Sequence, residues 1–171
     1  GGALLTNNDD IADRARTWRN FGIYEGWPIT IGQNAKMSEF QAALGLSNLE
    51  RLAKEVRRRG RVIALYRELL SAKGFIKFVG SENNSYCPVV FETQEQLLSV
   101  LENLSKKRIY PRRYFYPSLN TLDFINGVGE TPISVDISRR ILCLPIGTDV
   151  NKKVIKQICL EINKAGGSNE S

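Results

Sequence analysis

The residue pattern predicts an α/β protein, and three observations carry that assignment. A short apolar run, Ala3-Leu-Leu-Thr6, leads into an amide- and acid-rich helix start; residues from about Met37 to Leu70 repeat their apolar positions at helical spacing; and beyond Gly74 two short apolar runs precede a capped helix.

Taken in order, Ala3–Thr6 reads as a strand closed by Asn7-Asn8-Asp9-Asp10, whose side chains suit a helix cap. A helix then runs from about Ile11 to Arg19. Phe21-Gly22 stops it, because glycine tolerates the left-handed conformation just past a helix end. Between Ile23 and Gln33 the Tyr24, Trp27, Pro28 and glycine positions show no period, and an irregular loop is predicted. Ser38 with Gln41 three residues on fits a capping box. Leu49, Leu52, Val56, Ile63, Tyr66 and Leu70 continue from it as one long helix, or as two joined near Gly60. The small residues Ala42, Ala43 and Gly45 would let another backbone approach this helix.

Further on, Phe75–Val79 and Tyr86–Phe91 read as strands, and Thr93 with Gln96 caps a helix to about Lys107. Ser134–Arg139 is a short helical turn and Ile141–Leu144 a buried strand closed by Pro145. Asn151–Lys164 is a terminal helix with Val154, Ile155, Ile158 and Ile162 inward. The predicted organisation is therefore residues 1–33 as the edge of a larger domain, 34–74 as a connecting helix, 75–165 as a small α/β sandwich and 166–171 as a frayed tail. Gly127-Val-Gly129 is a loop pair, too little for a nucleotide fingerprint.

Composition narrows the chemistry. The 171 residues, 42% hydrophobic, are enough for a real core, and no apolar run approaches the roughly 20 residues of a membrane helix. No charged-then-apolar leader opens the sequence, so a soluble cytoplasmic protein is the expectation. Cys87, Cys143 and Cys159 are odd in number, scattered and set among apolar neighbours, which predicts burial as free thiols in a reducing compartment. With no histidine and no paired-cysteine spacing, the usual zinc sets and histidine-based triads are not available, and no metal is expected. Lysine and arginine number 24 against 18 acids, a formal charge of +6 that favours anionic partners. The run Arg57-Arg-Arg59-Gly60-Arg61 reads either as a solvated helix face or as a nucleic-acid contact, and a phosphate-bearing small substrate accounts for the excess equally well.

One run carries more. Gly32-Gln-Asn34-Ala-Lys36-Met37-Ser38-Glu39-Phe40-Gln41-Ala42-Ala43-Leu44-Gly45 passes a polar amide to the mouth of the long helix. Upstream lie Gly1-Gly-Ala-Leu-Leu-Thr-Asn7-Asn-Asp-Asp10-Ile and Arg19-Asn20-Phe21-Gly22; downstream lie Tyr116-Pro117-Ser-Leu119-Asn120 and Arg140-Ile-Leu-Cys-Leu144-Pro145. In this order they resemble the DegT/DnrJ/EryC1/StrS family of sugar-nucleotide aminotransferases, which use pyridoxal 5′-phosphate (PLP), over nearly the whole chain. The resemblance implies the fold-type I PLP aminotransferase architecture, with residues 34–74 as an interface helix. It also implies that this is a C-terminal portion without the family's Schiff-base lysine, which lies a few residues before the Gly-Gly pair. The chain alone is then expected to be inactive, with no catalytic residue of its own.

The same resemblance assigns roles. Asn34 is implied to reach across a homodimer interface and donate its amide to the phosphate of the neighbouring subunit's PLP; read without the resemblance, it would be a helix cap. Lys36 is rejected as the PLP-bearing lysine, since the family keeps a cation there beside a separate lysine and a first-turn lysine has no evident means of activation. The segment Tyr110–Asn120 packs two guanidinium groups among four aromatics and two prolines. In the family it faces the sugar-nucleotide cleft, which implies Arg112, Arg113, Tyr116 and Asn120 as substrate contacts, with Phe115 and Tyr116 as core the bland alternative. Many relatives end this segment in Pro-Leu-His, and Asn120 stands in place of that histidine: an amide can bond a sugar hydroxyl but cannot titrate. The loop Tyr24-Glu25-Gly26-Trp27 receives no role. The function implied is amino transfer, with glutamate as donor, to a nucleotide-linked keto sugar in deoxy-amino sugar synthesis. The other readings are a basic nucleic-acid-binding module and a family relative that has lost catalysis.

Overall fold

The computed structural model describes residues 2–70, 74, 76–79, 83–114, 116–125 and 129–166. Phe75, Phe115, most of the Gly127–Gly129 loop and the tail from 167 lie outside the described residues. Two compact units divide the chain, Gly1–Leu52 and Ala53–Ser171, and the division falls within the long helix.

In the first unit, α1 (Asp9–Arg19) begins where Asn8 accepts a hydrogen bond from the Ile11 N–H at 3.1 Å. Asp9 and Asp10 occupy its first turn and Arg16 and Arg19 its last, each sign at the favourable end of the helix dipole. The run before it corrects the sequence reading. Residues 3–6 pair with no described segment, and Leu5 is 93% exposed. A strand needs a second backbone to complete its ladder, and none of the described residues supplies one.

The loop from Ile23 is more ordered than its composition suggested. β1 (Ile23–Tyr24) and β2 (Trp27–Pro28) form an antiparallel hairpin, with Tyr24 opposite Trp27. Glu25 and Gly26 both have positive φ, 46° and 86°, the backbone twist that a two-residue hairpin turn requires. After the hairpin the chain folds back on the end of α1: the Gln33 N–H donates to the Trp18 carbonyl at 2.9 Å and the Ala35 N–H to that of Arg19 at 3.0 Å. Gly22, at φ 74°, lies where a Cβ would collide with the Thr30 carbonyl, so this return path needs glycine.

α2 (Glu39–Leu70) is one uninterrupted helix of 32 residues. Ser38 and Gln41 close its start reciprocally, Ser38 N–H to Gln41 Oε1 at 2.9 Å and Gln41 N–H to Ser38 Oγ at 3.3 Å. Gly60 does not break it. Its missing side chain admits the Asn84 carboxamide, which lies 3.0 Å from where a Cβ would stand and donates to the Val56 carbonyl at 3.4 Å.

In the second unit, β3 (Ile76–Phe78), β4 (Pro88–Phe91) and β5 (Ile141–Cys143) form an antiparallel sheet in the order β3-β4-β5. α3 (Gln94–Ser105) starts at the predicted Thr93/Gln96 capping box. α4 (Pro132–Arg140) is a full helix rather than a turn, with Pro132 at a first-turn position where its missing N–H costs nothing. α5 (Lys152–Gly166) packs on α3, its Ile155, Ile158 and Ile162 buried as the periodicity required. The core joins these to Tyr66 and Leu70 of α2, Val89 and Phe91 of β4 and Leu142 of β5.

Three consecutive carbonyls beyond β5 are held by α2. Tyr66 Oη donates to Pro145 O at 3.0 Å, and Arg58 donates to Ile146 O and Gly147 O, each at 2.9 Å. Arg58 also pairs with Glu55 at 3.1 Å, so the middle of the basic run is an internal clamp and not a solvated face.

Candidate functional site

Asn34 is placed by backbone, not by a helix. It forms an antiparallel bridge with Asn20, and Ser38, four residues on, is the residue that caps α2. The cap reading of Asn34 therefore fails on geometry. Its side chain is exposed and bonded to no described group, while the residues on either side, Gln33 and Ala35, line an open groove of about 1250 Å³ with Leu4, Leu5 and Ile31. Lys36 points elsewhere. Its ammonium donates to Asn20 Oδ1 at 2.9 Å and sits 4.8 Å from the centre of the Phe21 ring. Tyr24 and Trp27 of the hairpin are solvent-facing.

The Tyr110–Asn120 segment belongs to the second unit and is anchored on β5: the Cys143 N–H donates to the Arg112 carbonyl at 2.9 Å. The two arginines part company there. Arg113 stacks 3.5 Å from the centre of the Tyr116 ring and donates from Nη2 to the Arg139 carbonyl at 2.8 Å, tying the segment to the end of α4. Arg112 remains exposed, with Nη1 on the Tyr114 hydroxyl at 2.9 Å. Tyr114 in turn meets Tyr86 edge-on at 5.1 Å.

Past the Tyr116-Pro117 cis bond, a single 3-10 turn (Leu119–Thr121) carries Asn120, which is half-buried and lines an open hollow of about 330 Å³. Glu130, Asp136 and Arg139 line it too. Hydrogen bonds from Arg140 hold the Asp136 carboxyl below the usual carboxylate range; burial works the other way and is outweighed. Arg140 also donates to the Phe91 carbonyl at 2.8 Å, fixing α4 to β4. Sequence reasoning missed Ser118, a hydroxyl only 5% exposed and bonded to Asn120 Oδ1 at 2.7 Å. The Ser-x-Asn spacing around a turn was the available signal. Among the described residues no cluster of three metal-ligating side chains occurs, and no helix is long and apolar enough to cross a membrane.

Residues 1–163 match the DegT/DnrJ/EryC1/StrS aminotransferase family. The chain belongs to that family. It is 32% identical to the dTDP-4-amino-4,6-dideoxy-D-glucose transaminase of Escherichia coli, over 92% of this chain and 46% of the relative. To the Shigella dysenteriae transaminase of the same name it is 30% identical, over 96% and 48%. The GDP-perosamine synthase of Vibrio cholerae is 28% identical, over 93% and 46%. The chain thus spans about half the length of the curated relatives it matches. Among solved structures, DesI in the presence of its TDP-sugar product superposes with a TM-score of 0.82 at 28% identity, covering 96% of this chain and 45% of that one. The aminotransferase TlmJ of Streptoalloteichus hindustanus superposes equally well, 0.82, at 18% identity and over 93% and 46%, a likeness of fold. The expected family and the fold-type I class are borne out.

Proposed function

We propose that these residues are the C-terminal part of a PLP-dependent aminotransferase that exchanges the carbonyl of a nucleotide-linked keto sugar for an amino group while glutamate becomes 2-oxoglutarate. The observation that carries this reading is the match to the family over residues 1–163 together with 32% identity to a dTDP-sugar transaminase. Cytoplasmic location is the companion reading, supported by three free thiols.

The residues present fit a share in holding PLP. An exposed, unpartnered carboxamide on a backbone fixed by the Asn20 bridge is a neutral donor able to meet a phosphate oxygen, and it is Asn34 that offers it. PLP, when bound, supplies an electron sink at the substrate carbon. Within this chain Asn34 binds the phosphate of a PLP held by a second subunit, and Arg112 receives the substrate diphosphate, since guanidinium matches paired phosphate oxygens. Arg113 holds Tyr116 and α4 in place beside the sugar, and Asn120 contacts the sugar itself. The homodimer is supported by the exposed α2 residues Phe40, Leu44 and Leu49 and by open space beside Gly45 among the described residues. Lys36, held by Asn20 and Phe21, takes no covalent part, and residues 1–171 alone are inactive.

The test is amino transfer by the full-length protein loaded with PLP. Given dTDP-4-amino-4,6-dideoxy-D-glucose and 2-oxoglutarate, or GDP-perosamine and 2-oxoglutarate, it should release glutamate. Glutamate formation from neither would contradict the reading.

A further inference from the structure

The hydrogen-bond polarity around Asn120 is set by two serines. Ser118 Oγ donates to Asn120 Oδ1 at 2.7 Å and lies 3.0 Å from Ser134 Oγ. A hydroxyl has one hydrogen, so a Ser118 that donates to Asn120 must accept from Ser134. The result is a one-way chain from Ser134 on α4, through buried Ser118, to the carboxamide oxygen, each bond polarising the next. Asn120 Oδ1 thereby accepts from Ser118, and the NH2 group keeps two donors without a described partner. Asn120 lines the open hollow of about 330 Å³ beside α4. Both ends of the chain are anchored: Thr121 Oγ1 donates to the Ser118 carbonyl at 2.7 Å, and Arg113 holds the far end of α4 through the Arg139 carbonyl.

We propose that Ser118 is a positioning residue that orients the Asn120 carboxamide by its oxygen and leaves the NH2 group to donate, and that the sugar therefore presents an oxygen acceptor, a hydroxyl or carbonyl, to it in this hollow. An ammonium or a deoxygenated carbon in that place is discriminated against, because it would leave the amide donor unmet. The inference rests on the sugar-nucleotide reading above and adds to it the chemistry of one contact.

Three variants of the full-length, PLP-loaded protein separate this from a purely structural role: Asn120→Asp, Ser118→Ala and Ser134→Ala. Asn120→Asp keeps an oxygen for Ser118 and removes the outward donor. Binding is measured by calorimetry with two pairs of probes, dTDP against dTDP-4-amino-4,6-dideoxy-D-glucose, and GDP against GDP-perosamine. The expected result is that Asn120→Asp weakens binding of the sugar-bearing probe about tenfold, Ser118→Ala less and Ser134→Ala least, with the bare nucleotide bound as before. Asn120→Asp binding the sugar nucleotide like the unaltered protein would overturn the inference. So would equal losses on nucleotide and sugar nucleotide. If the unaltered protein binds neither sugar nucleotide, the sugar-nucleotide reading itself fails and the inference goes with it.

Discussion

The backbone of Asn34 is fixed from a distance while its side chain is left exposed. The bridge to Asn20 holds the main chain, so replacing the side chain should alter binding without altering the fold. Asn34→Ala in the full-length protein should weaken PLP about tenfold, the worth of one hydrogen bond to a charged group, and leave thermal unfolding unchanged. Asn34→Asp should be worse, because it sets a carboxylate against a phosphate. Absorbance titration with PLP checks both. Gly22 is the opposite case. A side chain there meets the Thr30 carbonyl at a positive φ, so Gly22→Ala should cost about 1–3 kcal/mol in denaturant unfolding.

At the scale of elements, the capping pattern was readable because it is local. Thr93 and Gln96 close α3 through side-chain and backbone groups three residues apart, and Thr93→Ala should cost about 1 kcal/mol by urea denaturation. The inward isoleucines of α5 were readable for the same reason, since periodicity records which face is buried. What could not be read depends on partners distant in sequence, or on a backbone conformation that the residue type does not announce. Residues 3–6 have strand composition but no described neighbour to pair with. The Tyr24–Trp27 hairpin turns on Glu25 at positive φ, a conformation glutamate gives no sign of favouring. Arg58 looked like its neighbours in the basic run, yet its carbonyl partners lie 88 and 89 residues away. Arg58→Ala should therefore cost about 2 kcal/mol and Arg57→Ala less than about 0.5 kcal/mol in the same denaturation assay. The candidate site divides in the same way. Asn34, Arg112 and Asn120 are candidates through family motifs, whereas Arg113's tie to α4 and the Ser118 hydrogen bonds depend on residues brought together only by folding.

For the whole molecule, charge and redox state follow from what the core excludes. Glu161 on α5 is 3% exposed and is bonded by Lys107 at 2.7 Å and Lys164 at 3.1 Å. The Lys107 bond, foremost, holds its carboxyl below the ordinary range; burial opposes this, and Lys164 adds to the lowering. A carboxyl depressed in the folded state stabilises fully above its unfolded value, about 4.3, and loses that contribution as pH falls through the folded value. Denaturant unfolding between about pH 5 and 3 should therefore show a decline in stability that Glu161→Gln reduces, the variant being already less stable near neutrality. Burial also pushes the Cys87 thiol up to about 12 and Cys159 to about 11. Both should resist a disulfide reagent in the native protein and react after unfolding. The proposed role of Asn34 at the cofactor's phosphate leaves the covalent bond to a lysine outside residues 1–171. Incubating the full-length protein with PLP, reducing with borohydride and mapping the pyridoxyl group by peptide mass spectrometry tests it most directly. The predicted result is a single modified lysine outside these residues; modification of Lys36, or of any other lysine among residues 1–171, would contradict it.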